Sequence, residues 1–158
     1  LGRRRAKMAV DSLLDATETG LELEAARALG MIGDPEAVET LKGLLNHKNP
    51  AVRLNAAFAL ARLGDKGGVD LAKPFLSDKN PVTAAVAAAT LLAAGDETGL
   101  GKLKEAWKKL NAKQRHWFIL DNLAHQRWAL PFLRELATSD KYPGIRKLAA
   151  RCVKALGG

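Results

Sequence analysis

Residues 25–34 read AARALGMIGD, residues 56–65 read AAFALARLGD and residues 87–96 read AAATLLAAGD. Their Gly-Asp pairs, at 33–34, 64–65 and 95–96, are separated by a constant 31 residues. A fixed period of this length marks a repeat architecture, in which each unit buries its apolar face against the next. Other columns keep the same step. Pro50, Pro81 and Pro143 share one column, with Ala112 at the missing step. Glu22, Arg53, Ala84, Arg115 and Arg146 form the column three residues further on. Val38, Val69 and Leu100 form another, and Leu44, Phe75 and Ala106 a fourth.

Each unit reads as two helices. The first spans about Pro35 to Asn46 in the clearest copy. Asp34 is placed to cap it, Pro35 suits its first turn and Glu36 faces the positive end of its dipole. Ala37, Val38, Leu41, Leu44 and Leu45 recur at helical spacing. Asn49-Pro50 then breaks the chain, because the residue before proline avoids the helical region. The second helix spans about Pro50 to Leu63, with Val52, Ala56, Ala57, Leu60 and Leu63 as its apolar stripe and Gly64 as its stop. Paired alanines at the contact positions let successive units approach closely.

The spacing predicts units of approximately 3–33, 34–64, 65–95, 96–126 and 127–157 within one repeat domain, 1–158. The fourth unit lacks Gly-Asp and reads WFILDNLAHQR from Trp117; the fifth recovers the pattern as PGIRKLAARCVKALGG from Pro143. Leu1-Gly2 and Leu156-Gly157 stand at the same phase of the repeat, and neither end carries a specialised polar cap. Two readings follow, a piece of a longer array and a chain with short solvated termini.

The pattern PEAV..L..LL followed by P.VR..AA.AL..LGD, clearest from Pro35 to Asp65, resembles the short HEAT repeats of the phycobilisome-lyase-like kind. The resemblance is strong from Leu21 to Asp96 and weak from Glu97 to Gln126. It implies an all-α, right-handed α-solenoid of about five helix pairs, with the second helix of each pair lining the concave face. It also implies that Arg53, Arg115 and Arg146 are structural, pairing along the stack with Asp34, Asp65 and Asp96.

Composition narrows the function. The 158-residue chain is 47% hydrophobic but only 5% aromatic, which suits helices packed through small side chains. No apolar run reaches the roughly 18 residues of a membrane span, so no membrane insertion is expected. The basic start Leu1-Gly2-Arg3-Arg4-Arg5 is not followed by the long apolar stretch of a secretory signal. A single cysteine, Cys152, excludes an internal disulfide framework and fits a reducing, cytoplasmic setting. The net charge of +8 permits an anionic partner without requiring one.

Catalytic chemistry is largely missing from the pattern. Asp121 and His125 stand four apart on a helix, but one such pair carries little information and no third ligand stands at a useful spacing. His47 lies in a loop beside Lys48. Cys152 shares a column with Ala28, Ala59 and Thr90, which suggests a small, buried structural thiol; Asp121 is that column's exception. Asp65-Lys66-Gly67-Gly68 lacks the spacing of a phosphate loop. No enzyme activity, cofactor or metal is expected.

A partner remains. Read down the concave columns, Leu54, Phe58, Val86, Trp117 and Leu148 make an apolar stripe, and Arg62, His116 and Arg151 supply a basic rim together with Lys147. Such a patch marks a site for another protein or peptide segment if it is open. The competing reading is that these side chains pack against neighbouring helices. Nucleic-acid binding through basic residues is the first alternative. The densest run is Lys102, Lys104, Lys108, Lys109, Lys113 and Arg115, with a second cluster at Arg3, Arg4, Arg5 and Lys7, but no basic track interleaved with aromatics is evident. A bilin-lyase-like or chromophore-binding role is the second alternative, implied by the family resemblance alone.

Overall fold

The computed structural model describes Ser12 and residues 21–157. The first half of the unit expected at 3–33 and the cluster from Arg3 to Lys7 lie outside the described residues. Among the described residues there are nine α-helices and no strand. These are α1 (Glu22–Ile32), α2 (Val38–Leu44), α3 (Pro50–Arg62), α4 (Val69–Ala72), α5 (Pro81–Ala93), α6 (Thr98–Lys109), α7 (Ala112–Phe118), α8 (Leu130–Ser139) and α9 (Pro143–Ala155). Short 3-10 turns lead into α2 (Pro35–Ala37) and α8 (Arg127–Ala129), and another extends α4 (Lys73–Ser77). The helices stack as an all-α solenoid, α1 on α3, α3 on α5 and α7 on α9, with α2, α4, α6 and α8 as the outer layer.

The repeat is written in its caps. Gly33, Gly64 and Gly95 adopt φ of 75°, 85° and 86°, a left-handed turn that an L side chain resists. The aspartate that follows each glycine accepts the backbone N–H two residues on, from Glu36, Gly67 and Thr98. One dipeptide therefore closes a helix and opens the next. Asn49, Asn80 and Asn111 repeat the device before α3, α5 and α7, accepting from the N–H of Ala51, Val82 and Gln114. Each such cap contributes about 1 kcal/mol.

The arginine column works differently from the ladder that the resemblance implied. Arg53 donates to the carbonyls of His47 and Lys48, and Arg146 to that of Asp140. Arg115 donates to the carbonyls of Leu110 and Trp107. Asp34, Asp65 and Asp96 are occupied with backbone amides, and Asp65 pairs with Lys42 at 3.2 Å. The arginines thus satisfy carbonyls left over at the end of the outer helix in their own pair, where intrahelical donors have run out.

Arg115 does meet an aspartate, but it is Asp140. Its Nη1 lies 2.7 Å from Asp140 Oδ2, and the side chains are 5% and 0% exposed. Trp107 Nε1 donates to the same oxygen at 2.7 Å, and the Tyr142 N–H to Oδ1 at 2.9 Å. The guanidinium also lies over the rings of Trp107 and Tyr142. This buried network ties α6 and α7 to the turn between α8 and α9. Trp107 is core and packs edge-on against Phe118 and Phe132.

Candidate functional site

The inner row consists of α1, α3, α5, α7 and α9. The first three stack regularly because their contact residues are small. A Cβ placed on Gly30 of α1 would lie 2.7 Å from Ala59 Cβ of α3, so the two backbones touch. The fourth pair departs from this regularity. Without Gly-Asp to end it, α7 widens into a π turn, Ile119–Leu123, in which the Ala124 N–H reaches back five residues to the Ile119 carbonyl at 2.8 Å. Wide turns of this kind redirect the side chains around them and recur at functional positions.

The redirected residue is Asp121. Its carboxylate Oδ2 lies 2.6 Å from Nη2 of Arg27, 94 positions earlier. Its carbonyl accepts from Arg62 Nη1 at 3.3 Å. Arg27 also lies 4.8 Å over the ring of Trp117, and Trp128 meets Phe58 edge-on at 6.4 Å. The fourth pair and the turn after it therefore lean onto the first two inner helices.

That closure decides the fate of the expected stripe. Leu54, Phe58 and Val86 are only 2%, 4% and 6% exposed. The expectation that they line an open groove is corrected; they form the socket that receives Trp117 and Trp128. What remains there is a cleft of about 120 Å³ between Leu54, Val86, Arg27 and Trp117. Arg62 is half-buried. Desolvation pushes its guanidinium below its ordinary pKa, Asp121 partly offsets this, and its Nε has no hydrogen-bond partner among the described residues.

The other expected residues sit differently. His116 and Arg151 are exposed, as is Lys147, and Trp117 and Leu148 are half-buried. Leu120, in the π turn that follows α7, is 44% exposed. α9 packs on α7, and positions 116 and 147, one on each of these helices, are equivalent in the repeat. Exposed inner-row side chains therefore occur on α7, on α9 and in the turn after α7, as well as at Met31 of α1, which is 51% exposed.

Asp121 does not pair with His125, which is exposed, because the π turn breaks the four-residue spacing. His47 is half-buried rather than simply solvated, and its Nδ1 accepts the Asn49 N–H. Cys152 is buried, and desolvation raises its thiol pKa, which suits an inert structural role. Arg27 and Asp121 had one signal in the sequence: a carboxylate in a column otherwise occupied by Ala28, Ala59, Thr90 and Cys152. No group of three or more potential metal-ligating side chains occurs among the described residues.

The family model for HEAT repeats matches residues 40–120, and that for the PBS lyase HEAT-like repeat matches residues 23–47. The chain belongs to the HEAT-repeat family. HEAT repeats generally serve as protein-interaction scaffolds, and no helix among the described residues is long and apolar enough to cross a membrane. No curated protein matches this HEAT-repeat chain.

Proposed function

We propose that this chain is a non-catalytic protein-interaction scaffold that docks a partner segment on the inner face of α7 and α9. Leu120 carries the reading. It is a large apolar side chain, 44% exposed, in the turn that follows α7; α7 carries the exposed His116 and half-buried Trp117 and packs on α9, which carries the exposed Lys147 and Arg151 and half-buried Leu148. An apolar centre with a basic rim is the composition of a small docking surface. Leu54, Phe58 and Val86 support it from beneath by seating the fourth pair.

The nucleic-acid reading has less behind it. Of the basic run, Lys102 is engaged by Glu105, Lys104 by Glu135, and Arg115 is buried, so the run is not a continuous basic track. A bilin-lyase-like role has only the name of a shared repeat behind it, and a fold unit does not carry a function with it.

Photo-crosslinking residues at position 120 and at Lys109, an exposed site on the outer helix α6, test the scaffold reading. Position 120 should yield nuclease-resistant protein adducts that position 109 does not. Equal labelling from both positions, or adducts that disappear with nuclease, would overturn it.

A further inference from the structure

Resting on that reading, we propose that the α7–α9 face takes an acidic protein segment bearing at least one large apolar side chain. Neither α7 (AKQRHWF) nor α9 (PGIRKLAARCVKA) contains an acidic residue. Lys147, Arg151 and Lys154 follow one another at helical spacing on α9 and are exposed. No ion pair among the described residues involves any of them. Like charges at this spacing destabilise a helix. A partner carboxylate in contact would relieve that repulsion, whereas charges beyond about 8 Å are screened at physiological salt.

The molecule also displays this recognition once already. On the first half of the inner row its own fourth pair supplies a carboxylate, Asp121, to Arg27. The indole of Trp128 packs against Phe58 beside it. The second half carries the same kinds of side chain without such an occupant: Lys147 and Arg151 are exposed on α9 with Leu148 half-buried, and Leu120 is exposed in the turn after α7, the helix on which α9 packs. A phosphate backbone would satisfy the cations but leave Leu120 unmatched. Base stacking on Trp117 is opposed by Arg27, which already lies over that ring at 4.8 Å. A segment with both carboxylate and apolar side chains matches both features.

The test is a random peptide library displayed on phage and selected against the whole chain, a Lys147→Glu, Arg151→Glu variant and a Leu120→Glu variant. All three sites are exposed, and circular dichroism checks that the fold persists. Selected peptides should be enriched in Asp and Glu around a Leu, Ile, Phe or Trp. A synthetic copy should bind by fluorescence anisotropy and lose at least tenfold in affinity to each variant. Neutral or basic peptides that still depend on Leu120 would overturn the acidic assignment and leave the docking face standing. No enrichment over an unrelated protein would overturn both. Binding of a labelled oligonucleotide, lost with Lys147→Glu, Arg151→Glu while no peptide is enriched, would identify phosphate as the ligand and refute the proposal.

Discussion

Replacing Asp140 by Ala should be the most destabilising single polar substitution in this protein. The carboxylate accepts from Trp107 Nε1, Arg115 Nη1 and the Tyr142 N–H, all within 2.9 Å. Its removal strands two buried donors and a part-buried one. It also leaves the Arg115 charge, on a side chain 5% exposed, without a counterion. Breaking a buried pair from one side costs about 3–5 kcal/mol, because the uncompensated charge stays desolvated. In a chain of this size that corresponds to a fall of roughly 10 °C in melting temperature. Repeat arrays do not always unfold in one step. Urea unfolding should therefore be followed by fluorescence at 295 nm as well as by far-UV circular dichroism, since Trp107 touches the altered group. Arg115→Met alone should cost less, since methionine refills part of the space and Asp140 keeps its bonds from Trp107 and Tyr142. The double variant should cost less than the sum of the two, with a coupling of about 2 kcal/mol or more. A loss below about 1 kcal/mol for Asp140→Ala, or additive single effects, would refute the claim that this network holds the last two helix pairs together.

Three further predictions follow from the same contacts. Asp121→Ala should cost only about 0.5–1 kcal/mol, because the pair with Arg27 is partly exposed. It should nonetheless speed hydrogen exchange in α1 while leaving α8 and α9 unchanged; unaltered exchange in α1 counts against the closure. Gly30→Ala should destabilise by about 1–3 kcal/mol, although alanine is the better helix former by about 1 kcal/mol, because the new methyl would meet Ala59 at 2.7 Å; a higher melting temperature contradicts this. Asp65 is held below its ordinary pKa, first by the Gly67 N–H and then by Lys42, and Asp96 by the Thr98 hydroxyl and then its N–H. A depressed folded-state pKa gives stability that is present above the unfolded value and lost as pH falls through the folded one. Stability should therefore decline below about pH 4, and Asp65→Asn with Asp96→Asn should flatten that decline in acid titrations of the melting temperature. An unchanged slope removes both residues from the account.

The fold was legible because a repeat states its rules several times. Gly33, Gly64 and Gly95 each need the same left-handed turn, so their spacing already encodes helix ends and the step between units. The partner of the arginine column was not legible. Arg53 and Arg146 bond to main-chain carbonyls, and a carbonyl leaves no trace in residue identity, whereas a column of aspartates does. The apolar stripe misled for a related reason. Leu54, Phe58 and Val86 occupy positions that face inward in every unit, and column position alone does not record how far the array closes on itself. That depended on Asp121 meeting a residue 94 positions away, and long-range pairs of this kind have no period.

The irregular fourth unit is best understood as the place where the repeat stops being a scaffold for itself. A regular unit ends in Gly-Asp, so its inner helix stops and the next pair stacks in register. Residues 117–127 have no such stop. The helical run still ends at Leu123, one residue before the point equivalent to Arg62, Ala93 and Ala155, but it widens at Ile119–Leu123, and Asp121 and Trp117 meet Arg27. Two features accompany this local change. Leu54, Phe58 and Val86 of α3 and α5, where a partner would be sought by analogy with regular arrays, are buried. The change also leaves Leu120 exposed in the turn after α7, the helix on which the acid-free α9 packs. Restoring a Gly-Asp stop at Gln126-Arg127 should weaken the Arg27–Asp121 contact and the docking surface together, since both derive from the same widened turn.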